Sequence, residues 1–326
     1  MSRKILGFDI GGHAIHIVLR SGNGIKKVVA EPLPEGSIRE DGSIVSFEAL
    51  GDFIKQTCKQ RKIRADEAAV ILPSSLCFCR RLSVPVMSHE QLMVNLPYEF
   101  RDFITSEKDA YFYDYAVLRV LRDANEVPVE IDLMAAATLK STIADYKGMF
   151  RRAGMKLRIA VPIEMAYTNL LMKMNDEAHC HCLIDLGHTS VRLYMFNGVR
   201  FESSHLVEYG CSVLDTAIAD ALHVDPFLAV SYREANHDDC QSLPECMSIY
   251  QNLAVEVQRA VHFFRYNNPD IELEHIHLIG GGAKIKALRD TLEETLSIPV
   301  LDASEMLNVD GEDMDFGLGA AGAALQ

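Results

Sequence analysis

A chain of 326 residues has room for two lobes of ordinary domain size, and 48% hydrophobic with 24% charged residues is globular composition rather than disorder. The formal net charge of −14, with no Lys/Arg-rich run, repels phosphate backbones and anionic lipid surfaces and so argues against nucleic acid as a partner. The N-terminus enters a strand too soon for a signal peptide, and no apolar run is long enough for direct membrane insertion. Eight cysteines without a secretory pattern then read as reduced thiols of a cytoplasmic protein.

In chain order, Phe8 to Leu19 (FDIGGHAIHIVL) reads as a strand, a tight Asp-x-Gly-Gly turn and a second strand with Ile15, Ile17 and Leu19 on one face. Ser21-Gly22-Asn23-Gly24 is turn chemistry leading to a third strand at Lys26 to Glu31. Leu50, Phe53, Ile54 and Cys58 recur at helical spacing, and Glu67 to Pro73 and Cys77 to Val84 read as strands completing an α/β core. The character changes at Pro85. From there to Pro162 the pattern predicts a helix at Ser88 to Phe103, paired strands at Tyr111 to Leu121 and Val127 to Ala137, and a helix at Leu139 to Ala153 stopped by Gly154.

A helix from Met165 to Met174 leads into Ile184 to Met195 (IDLGHTSVRLYM), which repeats the first hairpin's apolar-Asp-apolar-Gly pattern about half a chain later. Gly210 opens a helix through Leu222, and a mainly helical region continues to Tyr266 with Ile249, Leu253, Val257, Val261 and Phe264 as one apolar stripe. His275 to Ile279 is a short strand, Gly280-Gly281-Gly282 leads to a helix with Ile285, Leu288, Leu292 and Leu296 inward, and Ile298 to Leu301 is a last strand. A small-residue helix beginning at Gly317 must pack closely on its neighbours.

Two matched hairpins suggest a duplicated fold that holds a ligand between the copies. Gly lets backbone N–H groups approach phosphate, and an Asp beside each turn, Asp9 and Asp185, suits a hydrated Mg²⁺. The Gly280–Gly282 turn could take adenosine or an α-phosphate at a helix start. His13 and His188 are placed to donate to phosphate, although loop histidines are more often simply exposed. Glu164 could orient a water as general base, or serve as a helix-start carboxylate favoured by the dipole. In His179-Cys180-His181-Cys182, strand alternation separates the two residue types, so the four cannot converge on one ion. Cys77-x-Cys79 reads as strand filling in the same way.

The order FDIGGHAIHIVLR, CLIDLGHTSVRLYMFNG, IHLIGGGAKIKALRDTLEETLSIPV resembles the phosphate-1, phosphate-2 and adenosine turns of the actin-like ATPase fold. The insertion (LSVPVMSHEQLMVNLPYEFRDFIT…DYAVL…IDLMAAATLKSTIADYKGMFRRAGMKLRIAVP) and the later YQNLAVEVQRAVHFFRYN are similar to those of the PilM family of type IV pilus assembly, and more distantly to FtsA. The resemblance implies an α/β, two-lobed actin-like ATPase fold of duplicated ribonuclease H-like domains with an inserted α+β 1C subdomain. Lobe one (1A) would be residues 1–84, closed by 159–182 and 313–326; the 1C subdomain 85–158; and lobe two 183–312, with 2A and a mainly helical 2B at about 212–270.

The family's function implies a cytoplasmic adaptor that sits at the inner face of the membrane through a partner. It would bind ATP and Mg²⁺ between its lobes and the N-terminal cytoplasmic peptide of a PilN-like inner-membrane protein in the 1A–1C groove, and would communicate with pilus motor ATPases. Asp9 and Asp185 would hold the metal through water, and Gly11, Gly12, Gly187 and Thr189 would grip phosphates. Three departures stand out. The first turn has Gly12 and His13 where the family usually carries Ser or Thr, its Gly-Gly after the second hairpin is Gly210-Cys211, and its Ala-Glu-x-x-Lys ribose signature reads Ala229-Val230-Ser231-Tyr232-Arg233. Losing the Glu removes a ribose acceptor worth on the order of 1 kcal/mol. Two rival readings are an FtsA-like filament-forming ATPase, which would need a membrane anchor after Gln326, and a small-molecule kinase, which would need a catalytic Asp.

Overall fold

The computed structural model of the chain describes residues 3–22, 24–39, 42–174, 179–302 and 317–325. The turn residue Asn23 and the first part of the expected closing segment, 313–316, lie outside the described residues. The chain divides into two compact units, one of Met1–Ile10, Ala14–Asn169 and Gly319–Gln326, the other of Gly11–His13 and Leu170–Leu318.

The first unit is built on a five-stranded sheet of β1 (Lys4–Ile10), β2 (Ala14–Ser21), β3 (Gly24–Pro32), β4 (Glu67–Leu72) and β8 (Lys156–Pro162), in the order β3-β2-β1-β4-β8. The first three strands are antiparallel neighbours, and β1, β4 and β8 run parallel. Helix α1 (Phe47–Gln60) starts where the Ser46 side chain accepts from the Ala49 amide, and it buries Leu50 and Ile54 against the sheet core of Phe8, Ile15, Ile17 and Val70. Helix α3 (Lys140–Arg152) adds Tyr146, Met149 and Phe150 to that same core. Helix α9 (Leu318–Ala324) is made almost wholly of Gly and Ala, so its backbone lies directly against Ala166 of α4 (Ile163–Met174) and Gly7 of β1.

A separate three-stranded sheet, β5-β7-β6, comprises β5 (Cys77–Pro85), β6 (Tyr111–Arg122) and β7 (Pro128–Leu139), all antiparallel. This corrects the expectation for Cys77 to Val84, which pairs with β7 rather than extending the first sheet. The physical reason is that β8 occupies the free edge of β4. The helix expected to close the insertion, α3, packs in the first sheet's core instead. One face of the small sheet buries Leu82, Leu133, Ala135 and Ala137 against Leu92, Leu96 and Phe100 around α2 (His89–Glu99). Ser88 and Gln91 form a capping box at the start of α2, and Pro97 in its last turn helps end it sooner than the expected Phe103.

The second unit repeats the same sheet: β9 (Cys180–Leu186), β10 (Val191–Asn197), β11 (Arg200–Val207), β12 (His275–Ile279) and β13 (Val300–Asp302), ordered β11-β10-β9-β12-β13. Again the first three pair antiparallel and β9, β12 and β13 run parallel. The crossover from β11 to β12 carries α5 (Ser212–Leu222), α6 (Pro226–Ala235) and α7 (Pro244–Asn267). Tyr250, Leu253, Val257, Val261 and Phe264 of α7 face the sheet, while Leu288, Leu292 and Leu296 do so from α8 (Lys286–Leu296). Among the described residues no helix is long and apolar enough to cross a membrane.

Candidate functional site

In the second unit, β9 ends on Asp185 and Leu186, and the chain turns through Gly187, His188 and Thr189 into β10. Asp185 lies opposite Arg192 in the ladder. The Asp185 carboxyl is pushed up to about 6 by burial, with Arg192 pulling the other way. Gly280, at the end of β12, closes against it with φ 84° and ψ 176°. A Cβ on Gly280 would sit 2.6 Å from Asp185 Oδ1 and 2.8 Å from the Leu186 carbonyl, so both conformation and space demand glycine. Gly281 is exposed with nothing near its missing Cβ, and Gly282 is buried beneath the Cys211 sulfur.

The start of α5 is pinned to the same turn. The Cys211 amide donates to the Gly187 carbonyl at 3.0 Å and the Ser212 amide to the His188 carbonyl at 2.8 Å, with Gly210 packed directly on that backbone. Behind them lie two residues that the sequence reading did not join. Arg233 Nε donates to Asp215 Oδ1 at 2.6 Å, and both side chains are almost fully buried. Asp215 Oδ2 lies 3.6 Å from His188 Nδ1. The His188 ring stacks on His13 at 5.2 Å between centroids and 30° between planes, and Gly12 lies beside the Thr189 methyl. Gly11, Gly12 and His13 therefore join the second hairpin's turn.

Among the described residues, this arrangement fits a phosphate group and a cation better than it fits a ribose. Asp185, held up by burial, gains from an adjacent positive charge, and the turn at Gly187 to Thr189 is open enough for backbone N–H groups to meet anionic oxygens. Arg233, expected at the ribose position, is committed to Asp215 instead. Cys211 carries a sulfur where the family has glycine, and burial pushes that thiol up to about 11. Asp215 was legible in part. It shares a helix face with Ile218, Ala219 and Leu222, and a carboxylate on an apolar face calls for a buried cation.

The first unit holds the other two expected carboxylates. Asp9 is half-buried, with Oδ2 3.0 Å from where a Cβ on Gly319 would lie. Glu164 is buried in the first turn of α4, and its carbonyl accepts from Thr168 Oγ1 at 3.0 Å. After burial, its charge is the next cause raising the Cys77 thiol to about 12 and the Cys79 thiol well above its usual value. Glu164 thus acts electrostatically on β5 of the inserted sheet.

The small sheet's face away from α2 is only partly covered. Cys77 and Ala136 join the first sheet's core at one end of it. Beyond them Cys79 and Arg81 on β5 are half-buried, while Phe112 and Asp114 on β6 are exposed. Ala136 is paired with both Cys79 and Asp114, and Met134 with both Arg81 and Ala116. Arg81 makes a two-pronged contact with Asp132, Nε to Oδ1 at 2.7 Å and Nη2 to Oδ2 at 2.5 Å. Met134 is buried, so this face presents Phe112 and Asp114 of β6 at the surface, with Arg81 held against Asp132 toward the other edge.

The His-Cys-His-Cys stretch gains neighbours that alternation alone did not supply. His275 and His277 of β12 come beside His181, and His181 Nδ1 lies 3.3 Å from His277 Nε2. Among the described residues, no group of three or more His, Cys, Asp or Glu is arranged to hold a metal ion.

Two units with one sheet topology, each with an Asp-x-Gly hairpin, define a protein of the actin-like ATPase fold. The family model of type IV pilus assembly protein PilM matches residues 7–314. The chain belongs to that family. Among solved structures it is similar to the PilM-PilN type IV pilus biogenesis complex at TM-score 0.80 and 22% identity, covering 98% of this chain and 96% of the other. Ethanolamine utilization protein EutJ from Carboxydothermus hydrogenoformans matches at TM-score 0.60 and 11% identity, covering 97% and 88%. MreB 5 of Spiroplasma citri bound to AMPPNP matches at 0.52 and 13%, covering 99% and 96%. At these identities the likeness to solved structures establishes the fold.

Proposed function

We propose that the chain is an actin-like adaptor of a type IV pilus or related secretion machine, working at the cytoplasmic face of the membrane through its partner. The observation that carries this reading is the family match, which runs through the inserted sheet as well as both hairpins. The partner is a PilN-like inner-membrane protein, whose short N-terminal peptide lies in extended form along the open part of the inserted sheet. The relative with the highest TM-score above is a PilM in complex with PilN. The exposed Phe112 and Asp114 of β6, an edge strand of the inserted sheet, suit a short extended segment that brings an apolar and a cationic group. Pilus motor ATPases are the further partners.

The Asp-Gly turns hold a nucleotide. Gly11, Gly12, Gly187 and Thr189 approach the phosphates, Asp185 stands toward Mg²⁺, and Gly280 to Gly282 face the adenosine. Binding outweighs turnover, because Arg233 is committed to Asp215 and is not available to a transferring phosphoryl group. The test is titration of the full chain with the labelled N-terminal peptide of the PilN-like protein encoded near it. Saturable binding is expected, weakened about tenfold by Asp114→Lys, since that carboxylate is exposed and its loss leaves the core intact. Failure of the folded wild-type chain to bind the peptide would remove the adaptor reading.

A further inference from the structure

Four groups run from the interior of the second unit to its surface. Arg233 and Asp215, each 5% exposed, form the inner pair, and His188 and His13 form the outer one. The inner pair neutralises one carboxylate oxygen. The other, Asp215 Oδ2, and the facing His188 Nδ1 are both buried without a hydrogen bond, 3.6 Å apart. That is just beyond hydrogen-bond range, so a small movement of the turn would join them. A carboxylate aimed at one imidazole nitrogen leaves the opposite nitrogen, Nε2, for a ligand. His188 sits in the turn of the second hairpin, and its stacked neighbour His13 sits exposed in the turn of the first.

We propose that His188, positioned by Asp215, receives the phosphate chain of a nucleotide at this turn and takes up one proton as it does so, with His13 as the outer imidazole. This rests on the nucleotide reading above and adds to it a proton linkage in place of the hydroxyl usual in the family's first turn. The proton comes from solvent to Nε2, which then donates to a phosphate oxygen, and no bond in the ligand changes. The charged groups facing His188 are Asp215 from α5, Arg233 and Glu234 from α6, and His13 from the first hairpin. In the free protein burial is the largest influence and holds His188 below its usual value, against the pull of Asp215. A bound phosphate adds negative charge on the open side of the ring and favours the imidazolium. The sign follows from linkage. Where the free protein has lost the proton and the complex holds it, affinity rises about tenfold per pH unit of acidification.

The experiment is calorimetric titration of the full chain with ATP in EDTA, from pH 8 to pH 5.5, in buffers of different ionisation heat. Excluding metal keeps cation binding at Asp185 out of the reading. The terminal phosphate of ATP titrates by itself, so the readout is the difference between wild type and His188→Gln. Wild type is expected to take up about one proton more per ATP bound than the variant, whose affinity is expected to be weaker than wild type at acid pH. Asp215→Asn keeps the side-chain volume and is expected to move the uptake to lower pH by about one unit. An NMR titration of His188 should show its pKa rising when ATP is added. Equal proton uptake in wild type and His188→Gln, or an unmoved His188 pKa, overturns this inference and leaves nucleotide binding standing. Absence of ATP binding at every pH, with and without Mg²⁺, removes the nucleotide reading and this inference with it.

Discussion

Replacing Arg233 with Met should destabilise the second unit by about 3–5 kcal/mol, because it leaves a buried carboxylate without its cation. The magnitude comes from the geometry. The Arg233 and Asp215 side chains are 6% and 7% exposed, and Nε lies 2.6 Å from Oδ1, so removing either partner strands a charge that water cannot reach. Asp215→Leu should cost a similar amount by stranding the guanidinium. The double variant, which buries two apolar side chains in the same space, should return close to wild type, giving a coupling of about 6 kcal/mol or more. The chain has no tryptophan, so Phe227→Trp on exposed α6 gives a fluorescence signal from this unit alone. Urea unfolding of the four proteins in that background measures the cycle. Thermal midpoints should fall by about 6–20 °C in the single variants. If Arg233→Met loses less than about 1 kcal/mol and the coupling vanishes, Asp215 is not desolvated and the proposed positioning of His188 loses its basis.

Two further tests concern the first unit. A Cβ on Gly322 of α9 would lie 2.0 Å from the Ala166 carbonyl oxygen, and the Gly322 carbonyl accepts from Asn169 Nδ2 at 3.1 Å. Gly322→Ala should therefore cost about 3 kcal/mol in denaturant unfolding, whereas Gly148→Ala in α3, with nothing within 4 Å, should gain up to about 1 kcal/mol. Equal effects of the two would refute the close packing of α9. Burial lowers the His16 pKa from 6.5 to about 4, so below pH 6.5 the unfolded chain binds a proton that the folded unit refuses. Stability should fall with pH through that window by up to about 1.4 kcal/mol per unit, and His16→Leu should make the slope shallower by about one proton. An unchanged slope in that variant would show that His16 is protonated when folded.

The duplicated architecture was legible because a sheet's period and a Gly turn are local. Asp9 and Asp185 each end a strand and precede a Gly turn, and the two sheets share one strand order. The assignment of Cys77 to Pro85 was not local. Its alternation is that of any half-buried strand, and only competition with β8 for the edge of β4 sends it to β7. The same limit hid the inner half of the site. Arg233 was read against a ribose signature, but its partner lies on another helix, and a buried pair declares itself only through the two apolar faces that carry it. His275 and His277 likewise became neighbours of His181 through the parallel pairing of β12 with β9, a register that neither strand encodes alone.

These differences bear on whether the proposed nucleotide site would turn its ligand over. A phosphotransferase concentrates its charged groups on the reacting phosphate and leaves a base facing the attacking oxygen. In this chain Asp215 and Arg233 neutralise one another inside the second unit, so the guanidinium is not available to a transferring phosphoryl group. Charged groups the fold could spend on chemistry are thus tied to structure, and an exposed carboxylate, Asp114, lies on the inserted sheet. That distribution suits the proposed adaptor better than it suits a phosphotransferase.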